Sequence, residues 1–301
     1  SRLRLPFPPP YLKPGANFSK GINFASGGSG LLLSTGKEMN IIPLEVQIQQ
    51  FTNISLKLAE EYGVNAAKSM IGRSLFAVSI GGNDLGLNYL VNATFQNTTS
   101  PQALIQMLLG KYTQYLTAMR VDYRVLFSLY RDEARNFLLF DMSPVGCTPN
   151  FRLAGLATWN GECVESGNQL AMAYNVGFKQ LMMNITTILK EATILTTNTY
   201  SLADNITRHG EAYGFSEVRS ACCGAGPFNS AVSCGKPIPE DKIGEYTPFL
   251  CKHPSKYLFW DGTHPTERFY KLVSHQVWEG TSVFISPFNL KTLIKQLNHK
   301  H

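Results

Sequence analysis

The chain has no run of five or more Lys or Arg residues, so the basic footprint of a nucleic-acid-binding protein is missing. Its formal charge of +6 is scattered over 301 residues. No apolar stretch reaches the roughly 18 residues that a membrane-spanning helix needs. No two cysteines stand in C-x-x-C spacing, which argues against a zinc site. No glycine-rich stretch ends in GK[ST], so Ser26-Gly27-Gly28-Ser29-Gly30 does not read as a phosphate loop. No serine occupies a Gly-x-Ser-x-Gly frame, the usual nucleophile elbow. The first residues, "SRLRLPFPPPYL", contain neither an initiator Met nor an apolar leader segment. The expectation is that a leader has been removed or that the N-terminus is incomplete.

What remains is a folded, soluble composition, 44% hydrophobic and 16% charged. The length fits one large α/β domain over residues 1–301. The six cysteines are Cys147, Cys163, Cys222, Cys223, Cys234 and Cys251. An even count suits disulfides but leaves the pairing open, except that adjacent Cys222 and Cys223 are not expected to bond each other. Six N-x-[ST] sequons lie at Asn17, Asn53, Asn92, Asn97, Asn184 and Asn205. Sequons and cysteines together predict a secreted, glycosylated, disulfide-bonded protein.

Periodicity divides the chain into alternating elements. A proline-rich lead-in covers residues 1–19. Lys20–Ala25 reads as a short strand running into "SGGSG", and residues 44–71 as a helix. Leu75–Ile80 is a continuous apolar run, predicted to be a strand buried on both faces, and it ends in Gly81-Gly82-Asn83-Asp84. Residues 101–135 read as helical, Phe137–Phe140 as a strand ending in "DMSPVGCTP", residues 165–191 as a long helix and Ala192–Thr196 as a strand. The loop-rich stretch 210–258 holds four cysteines that are expected to staple it. A last helix is expected directly after His264. This alternation predicts a parallel sheet covered on both faces, with the ligand site at the carboxyl ends of its strands.

Three segments carry candidate chemistry. In "FWDGTHPTERF", Asp261 and His264 stand three residues apart before Pro265. Asp261 is placed to accept from Nδ1–H and so leave Nε2 free to take a proton. Pro265 suits the first helical position, which makes His264 an expected N-cap whose neutral form the helix dipole favours. The competing reading is a capping loop that merely holds the last helix. In "GGND", Asn83 is a candidate oxyanion donor; the alternative is that Asn or Asp caps the helix that follows. In "NFASGGSG", the Gly28 N–H is a second candidate donor; the alternative is a plain flexible loop. All three belong to one acyl-transfer mechanism and sit at successive strand ends.

With these residues in view, the chain resembles a plant-type GDSL esterase/lipase of the SGNH hydrolase superfamily along its whole length. "PPPYLKPGANFSKGINFASGGSGLL" is similar to the family's second block, with Gly28 as its glycine. "SIGGNDLG" is similar to the third, with Asn83 as its asparagine. "DMSPVGCTPNFR", "ACCGAGPFN" and "CKHPSKYLFWDGTHPTERFY" resemble further stretches, the last carrying Asp261 and His264. The resemblance implies a three-layer α/β/α, doubly wound, mainly parallel sheet of flavodoxin-like type, a secreted location, and hydrolysis of lipid or other acyl esters without metal or cofactor. It implies no nucleic-acid partner and no transmembrane segment, and a monomer is expected. The family's first block, a G-D-S segment with the nucleophilic serine and the first strand, has no counterpart in these residues. Ser79 is expected to be buried in its strand and so to offer no replacement. The chain is therefore expected to fold poorly alone and to be inactive without that block. Two other readings stand beside the hydrolase: a non-catalytic secreted protein that retains the ester-binding crevice, and a non-functional product of a damaged gene.

Overall fold

The computed structural model describes residues 2–3, 5–117 and 133–299. The expected helical stretch beyond residue 117 falls partly outside them. The helices are α1 (Leu44–Tyr62), α2 (Val64–Gly72), α3 (Ala93–Thr98), α4 (Pro101–Thr117), α5 (Pro149–Ala154), α6 (Leu156–Trp159), α7 (Glu165–Ile188), α8 (Thr199–Arg208), α9 (Glu267–Glu279) and α10 (Leu290–His299). The strands are β1 (Leu75–Val78), β2 (Asn136–Leu139), β3 (Thr193–Thr197), β4 (Glu217–Ala221), β5 (Cys223–Ala225), β6 (Val232–Ser233), β7 (Phe249–Leu250), β8 (Tyr257–Phe259) and β9 (Ile285–Ser286). The fold is α/β. One sheet follows the hydrogen-bonded order β1-β2-β3-β9, one pairs β4 with β8, and one follows β6-β5-β7. β4 and β8 run parallel, whereas β9 joins β3 antiparallel, an edge strand that the apolar pattern does not announce. None of the described helices is long and apolar enough to cross a membrane.

The chain forms two compact units, Ser1–Phe137 with Leu181–Ile194, and Leu138–Gln180 with Leu195–His301. In the first unit the expected helix 44–71 is two helices, broken at Gly63, whose φ of 85° ends the first. The core of this unit contains a row of rings: Phe24 meets Phe51 edge-on at 6.3 Å, Phe51 meets Phe76 at 5.0 Å, and Phe76 lies 5.9 Å from Phe137. Each such pair adds about 0.5–1.5 kcal/mol beyond its buried area. Buried Asn136 donates to Gly72 O at 2.8 Å and so satisfies the end of α2.

Two expectations fail in this unit. Lys20–Ala25 is not a strand: only Asn23 bridges Pro10, through Tyr11 N to Asn23 O and Asn23 N to Pro9 O. Pro8, Pro9 and Pro10 have no N–H to donate, so no ladder can extend along them. β1 is not buried on both faces: Leu75, Phe76 and Val78 are only half-buried. Ala77 is exposed, and Ser79 is exposed just past the strand rather than enclosed in it.

In the second unit, the loop after β2 is tied to α8. Asp141 Oδ1 accepts from Thr199 N at 2.6 Å and from Thr197 Oγ1 at 2.8 Å, and Oδ2 accepts from Tyr200 N at 3.1 Å. A carboxylate thus meets the free N–H groups at a helix start. The stretch 210–258 is stapled as expected, by Cys222–Cys251 and Cys223–Cys234, with Cys147–Cys163 as the third bridge. Helix α9 packs Phe269, Val273 and Val277 inward at the spacing of one helical face.

Candidate active site

Strand β8 delivers the chain to Trp260, and the next five residues fold back on it. Trp260 N donates to His264 O at 2.7 Å, Thr266 N donates to Leu258 O at 2.9 Å, and Pro265 bridges Phe259 antiparallel. The turn is filled by its own aspartate. Asp261 Oδ1 accepts from Thr263 N at 2.9 Å and from His264 N at 2.7 Å. The His264 ring nitrogen Nδ1 lies 3.0 Å from Oδ1 and 2.9 Å from Oδ2. This contact selects the tautomer with hydrogen on Nδ1, which leaves Nε2 as a proton acceptor. Nε2 makes no hydrogen bond among the described residues, and the His264 side chain is 70% exposed.

The electrostatics follow from that geometry. Partial burial pushes Asp261 up, but the bonds from the His264 ring and from the His264 and Thr263 N–H groups prevail and bring it down to about 2. The same ring hydrogen bond raises His264 above 6.5, against a smaller opposing effect of burial. The expected helix cap is not formed. α9 begins at Glu267 with Thr266 as its N-cap residue, because Pro265 and Thr266 are still engaged with β8. His264 therefore lies outside the helix, and its basicity is set by Asp261 rather than lowered by a dipole.

In the other unit, Gly28 and Asn83 belong to one assembly. Asn83 Nδ2 donates to Ser29 O at 2.9 Å, next to Gly28 in the chain. One amide hydrogen is thereby used and the second stays available. The Gly28 N–H has no acceptor among the described residues. Neither Asn83 nor Asp84 caps the segment that follows, a stretch of π-helix over Asp84–Tyr89. Asp84 turns inward instead. Its Oδ2 accepts from Leu31 N at 2.7 Å, and its Oδ1 from Leu32 N at 2.9 Å and Thr35 Oγ1 at 2.7 Å. Gln47, buried on α1, adds bonds to Ile42 O at 2.8 Å and Ser29 Oγ at 3.3 Å. The glycine-rich stretch is thus a pinned loop, not a flexible one. Asp84 is the residue that sequence reasoning missed, since an acidic residue after paired glycines looks like a helix cap.

Gly30 lies against that carboxylate, and a Cβ there would come within 2.5 Å of Asp84 Oδ1. Both partners are held by backbone, so neither can move cheaply. Gly30→Ala is expected to cost roughly 2–3 kcal/mol of stability. Urea unfolding measures it, and a loss below about 0.5 kcal/mol would refute the pinned-loop description.

Asp261 and His264 are thus brought together directly, and Gly28 and Asn83 are joined through Ser29. The two pairs lie in different units. A separate cleft of about 510 Å³ in the second unit, lined by Arg152, Trp159, Glu162, Asp204, Arg208 and Arg219 among others, contains none of these residues. Its arginines are engaged: Arg152 by Cys147 O and Gly161 O, Arg208 by Asp204, and Arg219 by Glu162. Among the described residues no group of three or more His, Cys, Asp or Glu is arranged to hold a metal ion.

Comparison with known proteins places the chain in a family. The family model described as GDSL-like Lipase/Acylhydrolase matches residues 2–277. GDSL esterase/lipase 6 of Arabidopsis thaliana is 34% identical over 279 residues, covering 92% of this chain and 69% of that protein. GDSL esterase/lipase At4g26790 of the same plant is 32% identical over 272 residues, covering 89% and 72%. A match along nearly the whole chain, with relatives above 30% identity, makes this protein a member of the plant-type GDSL esterase/lipase family of SGNH hydrolases, and by family an ester hydrolase.

Proposed function

We propose that this protein hydrolyses carboxylic esters of lipid or other acyl substrates by a Ser-His-Asp mechanism. His264 is the general base, Asp261 its orienter, and the Gly28 N–H and Asn83 side-chain amide are the oxyanion donors. The observation that carries this reading is the contact of His264 Nδ1 with both Asp261 oxygens while Nε2 has no partner among the described residues. In acylation Nε2 takes the proton of a serine hydroxyl as its oxygen attacks the ester carbonyl. The C=O electrons move onto oxygen and the imidazolium is stabilised by Asp261. Two N–H donors meet the charge on that oxygen. The imidazolium then gives its proton to the leaving alcohol. Water repeats the sequence on the acyl-enzyme and releases the acid.

The serine is not supplied by a Gly-Asp-Ser or Gly-x-Ser-x-Gly frame within these 301 residues. Our reading assigns it to a G-D-S segment of the same gene product outside them. Three disulfides and six sequons favour an oxidising, extracellular setting and a glycosylated product.

The test combines transcript sequencing upstream of Ser1 with a fluorophosphonate probe, which labels activated serines. An in-frame G-D-S segment whose serine takes the label, in a protein that cleaves p-nitrophenyl esters, supports the reading. Saturable binding of ester analogues with neither label nor turnover overturns it in favour of a non-catalytic ester-binding protein.

A further inference from the structure

We propose that Asn150 is the positioning residue that holds His264 in its working orientation, an inference that rests on the assignment of His264 as the base. Nothing in its sequence setting, "GCTPNFR", marks it for this role.

The bonds described so far close the turn on itself but do not aim it. The Asp261 carboxylate, the Thr263 and His264 amides and the Trp260–His264 link move together if the turn swings. Asn150, 113 positions away from Thr263 in the chain, grips the turn from outside. Its backbone N–H donates to Gly262 O at 2.9 Å. Its side-chain Nδ2 donates to Thr263 Oγ1 at 2.9 Å. Its Oδ1 accepts a short hydrogen bond from Ser230 Oγ, which orients the amide so that the nitrogen faces Thr263. One residue thus holds both residues that separate Asp261 from His264. The approach is close enough that a Cβ on Gly262 would come within 2.0 Å of Asn150 Oδ1, so the turn takes glycine there.

Asn150 is itself rigidly mounted. It is the second residue of α5, which follows disulfide-bonded Cys147. On the same helix, buried Arg152 donates to Cys147 O at 3.0 Å, to Gly161 O at 2.9 Å and to Cys163 Sγ at 3.1 Å. Ser230 is fixed in turn by its neighbour Asn229, whose Nδ2 donates to Ala221 O at the end of β4 at 2.8 Å. The opposite side of the turn is held by Cys222 N to Phe259 O at 3.0 Å and Cys223 N to Trp260 O at 2.8 Å. The His264 turn is therefore clamped between a disulfide-stapled strand and Asn150. A base displaced by about 1 Å costs on the order of 100-fold in rate, so loss of one side of the clamp has a kinetic consequence.

The test uses Asn150→Ala, Thr263→Val and Thr263→Ser in the full gene product. Thr263 is exposed, so Thr263→Val deletes the acceptor hydroxyl without threatening the fold, and Thr263→Ser restores it. Histidine NMR titration is the first readout. In Asn150→Ala, Thr263→Val and Thr263→Ser alike the His264 titration should stay above 6.5, because Asp261 moves with the ring. Steady-state hydrolysis of p-nitrophenyl butyrate is the second. The first two variants should lose about 10- to 100-fold in kcat with KM within twofold, and Thr263→Ser should recover most of it. An unchanged kcat in both Asn150→Ala and Thr263→Val overturns the positioning role, as does a loss of kcat in Thr263→Val that Thr263→Ser fails to recover. A parallel His264→Ala variant that retains full turnover overturns instead the assignment of His264 as base.

Discussion

Replacing Asp261 by Asn is expected to lower kcat for ester hydrolysis by about 10⁴-fold, with KM little changed. The reason lies in how the two oxygens are used. Oδ1 accepts from the Thr263 and His264 amides, at 2.9 and 2.7 Å, and these bonds shape the turn. An asparagine keeps them by placing its own oxygen at that position. Its NH₂ then occupies the position of Oδ2, which now lies 2.9 Å from His264 Nδ1. With the remaining oxygen held by the two amides, a donor facing Nδ1 shifts the ring hydrogen toward Nε2, the atom that takes the serine proton in the proposed mechanism. The turn survives but presents the wrong tautomer, and the imidazolium formed in the reaction loses its counter-charge.

The pH dependence carries the same signature. Asp261 holds His264 above its ordinary value of 6.5, so the acid limb of the wild-type rate profile lies above that value, and the residual activity of Asp261→Asn should show it shifted down. The signs for stability follow. The raised His264 contributes fully below 6.5 and loses its contribution as pH rises through its folded value. The depressed Asp261 contributes above 3.8 and loses its contribution as pH falls toward about 2. Their joint contribution is greatest between 3.8 and 6.5 and is absent from the variant. A kcat within tenfold of wild type would sink the proposed role of Asp261.

Asp84→Ala is expected to destabilise the protein by about 4 kcal/mol without touching His264 or Asp261. Asp84 is fully buried. Its carboxylate takes the N–H of Leu31, the N–H of Leu32 and the hydroxyl of Thr35. Alanine leaves three buried donors unpaired at roughly 1–3 kcal/mol each, partly relieved where water enters. The pH dependence of this variant is the opposite of the usual carboxylate case. Burial holds Asp84 above 3.8, outweighing the hydrogen bonds that pull it down. The folded protein therefore keeps this proton more tightly than the unfolded chain. That stabilisation is complete below 3.8 and is lost as pH rises through the folded value. The stability gap between wild type and Asp84→Ala should accordingly widen as pH is lowered from 8 toward 4. Asp141, also raised by burial, is present in both proteins and cancels. Urea unfolding at several pH values measures the gap. A loss under about 1 kcal/mol, or a gap that narrows on acidification, contradicts this account of the loop.

The candidate site was legible to different depths in its two units. Asp261 and His264 were readable because three residues suffice for an aspartate to reach both the amide and the ring of the histidine. Gly28 and Asn83 were readable as residue types in glycine-rich turns, but not their connection through Ser29, which joins positions 54 apart. Asp84 was misread for a physical reason: the carboxylate that caps a helix start and the one that pins a distant loop look alike in sequence. The start of α9 was misplaced because Pro265, well suited to open a helix, is engaged instead by Phe259 of β8. The half-buried β1 was misread because an apolar run does not say how completely each face of the strand is covered.

By itself the sequence determined what short spacing and period determine: alternating strands and helices, the inward face of α9, the Asp261–His264 pair, and a stapled stretch with Cys222 and Cys223 facing different partners, as successive residues of extended chain do. The tertiary structure alone decided the contacts that close long loops. These are Asp84 under the glycine loop, Asn150 on the His264 turn, and the three disulfide pairings. In the unfolded chain each of those partners has many alternatives at similar cost, because loop closure depends only weakly on length. Packing of the whole fold selects one of them, and it does so with residues that local sequence leaves unmarked.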